Sequence, residues 1–271
     1  MPNRLAEILV NKRVEISGLD ARTLRQEAEA APAPRDFTAA VRRTGSLPVR
    51  LVAELKRASP SRGALAPHLD LGAAADIYAD NGAAAISVLT DEKFFQGRLE
   101  TLKHLRFEAK CPVPLLRKDF VLSPAQVYQT RASGADAILL IAAALPDDGE
   151  LANLHALALS LGLAPLVEVH SAPEIERVLK LPGLSLVGIN HRDLATFQVS
   201  LAVSELLRSL IPPQVVVIAE SGIFTAADVA RMAAAGVDAV LVGEALVTAP
   251  DIAQKVRELS GGTGRPKNDP R

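Results

Sequence analysis

Gly134-Ala135-Asp136-Ala137-Ile138 is one of three near-copies in this chain, the others being Gly82-Ala83-Ala84-Ala85-Ile86 and Gly236-Val237-Asp238-Ala239-Val240. In each, a glycine stands where a helix would end in a left-handed cap, and the run after it is apolar and β-branched enough for a buried parallel strand. The gaps between these glycines divide into units of about 26 residues, the length of one strand plus one helix. Extending that period gives eight strand candidates, at 50–55, 84–89, 113–118, 136–141, 164–169, 185–189, 215–219 and 238–242. They alternate with helical stretches, and no tight hairpin joins neighbours. The pattern predicts an α/β protein, a single (β/α)8 TIM barrel over residues 49–260. A doubly wound open sheet is the main alternative. It calls for a Gly-rich fingerprint after its first strand, where this chain has Lys56-Arg57-Ala58-Ser59, and G-x-G-x-x-G occurs nowhere.

Residues 1–48 carry apolar positions at helical spacing, among them Leu5, Ile8, Leu9, Val14 and Ile16, until Pro32 and Pro34 break the pattern. This predicts an N-terminal helical extension packed on the barrel. Residues 261–271, rich in Gly, Pro and charge without periodicity, are expected to be a disordered tail, with no further enzyme domain behind them. The formal net charge of −1 gives no reason to expect nucleic acid or an anionic membrane as partner. Cys111 is the only cysteine, can form no internal disulfide, and is read as a small core residue in a reducing compartment. The N-terminus lacks a signal peptide's apolar core, and the longest apolar run, Ala137 to Leu145, falls short of the ~20 residues that span a bilayer. A cytoplasmic location is expected.

In barrels of this kind chemistry gathers at the C-terminal ends of the strands. Side chains two apart share a strand face, so Glu54 and Lys56 turn into the mouth together, and Lys118 joins them on the face of Leu116. The second end brings Thr90, Phe94 and Phe95, the fifth Glu168 and His170, and the sixth Asn190, His191, Arg192 and Asp193. A lone E-x-K would read as a structural ion pair; charges at several ends of one mouth argue for chemistry. The seventh and eighth ends hold Ser221-Gly222 and Gly243-Glu244, where the backbone can approach a ligand before a helix whose amides attract anions. These two loops are read as a phosphate site. No metal is expected, because Glu168, His170 and His191 form no spaced ligand motif. His68, His104 and His155 are read as surface or helix histidines, Asp119 and Asp193 as partners that hold loops, and Arg57, Arg62 and Arg117 as solvated.

The motifs A-E-L-K-R-A-S-P-S (53–61), S-V-L-T-D-E-K-F-F-Q-G (87–97), L-L-R-K-D-F (115–120), L-V-E-V-H (166–170), G-I-N-H-R-D-L (188–194) and A-E-S-G-I (219–223) together resemble the indole-3-glycerol phosphate synthase family of tryptophan biosynthesis. They follow the family's order and cover nearly all of residues 1–260. The resemblance implies ring closure, decarboxylation and dehydration of 1-(2-carboxyphenylamino)-1-deoxyribulose 5-phosphate, without metal or organic cofactor. It implies Lys118 as general acid and Glu168 as acid/base or stabiliser of positive charge. Lys56, paired with Glu54, would bind the carboxylate or act as dehydration acid, and Asn190 would orient these groups. Ser59 and Arg192 resemble substrate contacts. Pro60, Phe95, Phe120, Leu139 and Leu241 would form the slot for the aromatic ring. Ser221, Gly222, Gly243 and Glu244 would hold the phosphate, largely through backbone amides. His191 departs from the family's small polar residues and is given no catalytic role. A monomer is expected, with association with other enzymes of the pathway left open.

Two rival readings remain. A phosphoribosyl isomerase on the same fold typically uses a Cys/Asp or Asp/Asp pair, where this chain has Lys and Glu. A non-catalytic phosphate-binding barrel would not require Glu54, Lys56, Lys118 and Glu168 together.

Overall fold

The computed structural model describes residues 4–45, 47–59, 62–193 and 198–262. Its eight main strands are β1 (Arg50–Leu55), β2 (Ala85–Leu89), β3 (Leu115–Lys118), β4 (Ala137–Ile141), β5 (Ala164–Val169), β6 (Leu186–Asn190), β7 (Val216–Glu220) and β8 (Ala239–Val242). Each pairs in parallel with its neighbour, and β8 closes on β1, so the sheet is a closed barrel and not an open one. The third strand starts later than its apolar run suggests. Pro114 has no N–H to donate, and only its carbonyl joins the ladder, accepting from Ile86 N at 2.9 Å.

The three repeated glycines end their helices with positive φ, at 111°, 81° and 82° for Gly82, Gly134 and Gly236. The acids in two of the repeats brace the preceding strand: Asp136 accepts from Leu115 N at 2.8 Å and Asp238 from Val217 N at 2.9 Å. Alternation then sorts the strand side chains. Val52, Leu116, Leu139, Leu166, Leu186 and Ile218 fill the interior, while Leu51, Ile86, Leu115, Val167 and Val217 face the helices.

Three helices precede the barrel, α1 (Arg4–Ile16), α2 (Ala21–Ala30) and α3 (Phe37–Val41). Phe37 and Val41 of α3 are fully buried against the interior cluster. Helix α1 lies at the opposite end, where Leu5 and Ile8 reach the mouth. It is fastened there by Lys12, whose buried ammonium lies 2.9 Å from Asp91 and 2.8 Å from Asp119, with Glu15 at 2.9 Å. The predicted tail lies outside the described residues from 263 onward. Among the described residues no helix is long and apolar enough to cross a membrane.

Two arginines depart from the solvated reading. Arg117 is 3% exposed, because position 117 faces the helix layer, and its guanidinium binds Asp119 at 3.0 Å and the hydroxyls of Thr90 and Thr130 at 3.1 Å. Arg57 donates to the Leu69 carbonyl at 3.0 Å. Arg62 is exposed but ion-paired, 2.6 Å from Glu244. Cys111 is a free, buried thiol. His155 is a helix histidine, and its ring is buried.

Candidate active site

Inward parity decides which side chains meet at the mouth. On β1, Val52 is inside the barrel, so Glu54 and Lys56 follow above it; on β3, Leu116 is inside, and Lys118 follows. The same rule on β5 and β6 brings Glu168 above Leu166 and Asn190 above Leu186. These five side chains line one cavity. Leu139, Leu241, Phe95 and Phe120 give it an apolar wall, with the two aromatic rings 6.1 Å apart at their centroids. Arg192, Ser221, Gly222, Gly243 and Glu244 complete the rim. Ser59 lies in a two-residue strand paired with Gly63–Ala64. Its side chain and Pro60 fall outside the described residues.

A residue that the sequence reading passed over stands at the centre. The A-E-S-G-I motif points to a phosphate turn, yet Val216 and Ile218 are inside, and the same alternation turns Glu220 inward. Its Oε2 lies 2.8 Å from Lys118 Nζ, which also stands 3.2 Å from Glu168 Oε2. Room for this carboxylate comes from Gly188, where an added Cβ would overlap Glu220 Oε1.

Two carboxylates thus share one ammonium at the floor of the cavity. Burial opposes the Lys118 charge, but Glu220, Glu168 and Glu54 outweigh it and hold the ammonium well above the usual lysine range. Burial raises Glu220 to about 7 against the pull of Lys118, and the nearby Glu168 charge adds to the rise. Glu168 moves the other way. Burial would raise it, but Lys118, His170 and Asn190 favour its ionised form and hold it below the usual carboxylate range. One acid therefore carries the charge while the other can keep a proton near neutral pH.

Fixed hydrogen bonds set these groups. Asn190 donates to Glu168 Oε1 at 3.1 Å, while its own carbonyl accepts from Arg192 N at 3.0 Å and Ser221 Oγ at 2.9 Å. Lys56 Nζ lies 3.1 Å from Glu54 Oε1 and 5.9 Å from the Phe95 ring centroid. Glu54 fits only because Gly243 lacks a side chain, since a Cβ there would come within 2.5 Å of Oε1. Asp119, next to Lys118, accepts from Thr90 Oγ1 at 2.6 Å and Phe120 N at 2.8 Å, so it ties the β2 and β3 ends together.

At the far rim, Ser221 and Gly222 both have positive φ, at 71° and 75°. A non-glycine residue in that region is strained, and the turn is held by His191. Burial keeps that imidazole neutral, so its Nδ1 donates to the Ser221 carbonyl at 2.8 Å while Nε2 meets Ser204 Oγ at 2.7 Å. The Glu244 carboxylate is engaged by Arg62. The arrangement offers two ammonium groups, a carboxylate able to hold a proton, an ionised carboxylate and an apolar slot, which suits proton transfer to and from an aromatic anion.

The indole-3-glycerol phosphate synthase family model matches residues 5–259. The chain is 52% identical over 271 residues to the indole-3-glycerol phosphate synthase of Roseiflexus castenholzii, covering 96% of this chain and 99% of that protein. It is 47% identical over 264 residues to that of Albidiferax ferrireducens, covering 96% and 98%. Among solved structures it is similar to 3-hexulose-6-phosphate synthase from Salmonella typhimurium, with a TM-score of 0.62 at 14% identity over 79% of this chain and 97% of that one. It is also similar to thiamine phosphate pyrophosphorylase from Pyrococcus furiosus, with a TM-score of 0.59 at 18% identity over 78% and 94%. At those identities the likeness is one of fold.

Proposed function

The chain belongs to the indole-3-glycerol phosphate synthase family, and from that premise we propose how its barrel mouth performs the reaction. The enzyme is a carboxy-lyase of tryptophan biosynthesis. Its substrate, 1-(2-carboxyphenylamino)-1-deoxyribulose 5-phosphate, is anionic at both ends and apolar in the ring between. The single observation that carries the mechanism is the Lys118 ammonium held between the Glu168 and Glu220 carboxylates at the floor of a slot walled by Phe95 and Phe120.

The ring lies against Phe95, Phe120, Leu139 and Leu241. The phosphate rests on the backbone of Ser221, Gly222, Gly243 and Glu244, with the Glu244 carboxylate turned toward Arg62. Arg192, at the rim, makes a further polar contact. Lys118 protonates the ketone oxygen as the ring carbon bearing the carboxylate attacks the carbonyl carbon. Carbon dioxide then leaves, and its bonding pair restores the aromatic ring. In the last step a base removes a proton from the neighbouring methylene while an acid protonates the new hydroxyl, which departs as water. Glu168, aligned by Asn190, serves acid/base transfer. Lys56, held by Glu54, meets the substrate carboxylate or the leaving hydroxyl. We take a monomer as the working unit, and a buried free thiol suits the cytoplasm.

Ring closure turns the carboxyphenylamino chromophore into an indole, so the product has an indole fluorescence distinct from its precursor's emission. Purified protein should generate that signal from the carboxyphenylamino substrate; no signal would overturn the reading. A non-catalytic barrel would bind substrate unchanged, and a phosphoribosyl isomerase would leave its carboxylate in place.

A further inference from the structure

The reaction consumes a proton from solvent. A carboxylate enters and leaves as neutral carbon dioxide, and the departing water carries away a proton added to the ketone oxygen. Two protons reach the ketone oxygen and one is recovered from the methylene, so the acids of the mouth, Lys118 among them, end each cycle one proton short. Lys118 is buried among acids, under the substrate.

A second approach to this centre runs behind it. Glu168 presents one oxygen, Oε2, to Lys118 at 3.2 Å and the other, Oε1, to His170 Nε2 at 3.3 Å. His170 Nδ1 in turn lies 3.4 Å from Glu174 Oε2, which also accepts from the His170 backbone N–H at 2.7 Å. His170 is not among the residues lining the cavity, and it meets Glu168 at the oxygen that Lys118 does not use. Exposure rises along the series, from 3% for the Glu168 side chain to 12% for His170 and 19% for Glu174. The ring nitrogens stand at ion-pair distance from both carboxylates without aligned hydrogen bonds.

We propose that His170 and Glu174 are positioning residues that act through Glu168, forming a rear proton route that returns a proton to Lys118 after each turnover. The step balances. His170 gives a proton to Glu168 Oε1, Glu168 passes one from Oε2 to neutral Lys118, and His170 is refilled from solvent by way of Glu174. A carboxylate that accepts on one oxygen and donates from the other needs no side-chain displacement to do this. Burial alone would disfavour a charged His170, but the Glu168 and Glu174 carboxylates face it from two elements and raise its pKa above the ordinary imidazole range, so the ring is loaded at neutral pH.

This inference rests on the functional reading above. The test separates the first turnover, for which Lys118 is already charged, from later ones. In His170→Ala, rapid mixing with substrate should show a first turnover near the wild-type rate, followed by a steady state lower by about tenfold or more. Added imidazole, entering the space left by the ring, should restore that steady state. Glu174→Gln, at the solvent end and outside the cavity, should show a smaller steady-state loss with the first turnover intact. A loss already complete in the first turnover and unmoved by imidazole in His170→Ala, or wild-type steady state in both variants, would overturn the route while leaving the synthase reading in place. Wild-type protein that forms no product would overturn both.

Discussion

Gly188 and Glu220 compete for one volume, since a Cβ on the glycine would overlap the Oε1 of the carboxylate. The atom in the way is the far end of a flexible side chain, so Gly188→Ala should spare the barrel and swing Glu220 off Lys118. Overpacking of this kind costs about 1–3 kcal/mol. Steady-state fluorescence assays beside thermal melts should show turnover falling out of proportion to a modest drop in Tm. Unchanged turnover would place Glu220 outside the chemistry.

The raised carboxyl of Glu220 also predicts how stability varies with pH. Its ordinary value is 4.5 and its folded value about 7, so the folded state binds the proton more tightly. The stability this contributes is fully present below about 4.5 and is lost as pH rises through 7. Urea unfolding of wild type and Glu220→Gln across that range should show the wild-type advantage shrinking as pH rises. An advantage that grows with pH would mean that the pairing with Lys118 overrides burial.

Lys12 supplies the fastening of α1. Replacing it with methionine keeps the stem and removes the charge, leaving Asp91 and Asp119 buried without their ammonium. Breaking a buried pair from one side costs about 3–5 kcal/mol. Denaturant midpoints should fall accordingly, and KM should rise because Leu5 and Ile8 of α1 line the mouth. Adding Asp91→Asn to Lys12→Met should recover part of the loss.

The barrel was legible because its signals are local and repeated: a capping glycine, an apolar strand and a period. The meeting of Glu54, Lys56, Lys118, Glu168 and Asn190 in one cavity was legible from strand parity, which needs no knowledge of tertiary contacts. Parity applied to β7 would also have found Glu220, but the serine and glycine after it drew the reading toward a phosphate turn. Arg117 went wrong for a related reason. Its odd position put it under the helices, while its residue type suggested water. Lys12 had no such signal, for nothing in a helix of mixed charge and apolar residues tells an ammonium bound for two distant aspartates from one bound for solvent. The rear approach of His170 to Glu168 depends on where the strand-to-helix turn places the ring, a detail that spacing does not carry.

The central claim is that Lys118 gives its proton to the substrate ketone. Its most direct test pairs equilibrium binding of the carboxyphenylamino substrate with single-turnover fluorescence for Lys118→Ala, with the fold checked by circular dichroism. The account predicts substrate still bound and product formation slowed by about 10²–10⁴-fold. Near-normal product formation by a folded Lys118→Ala protein would contradict it.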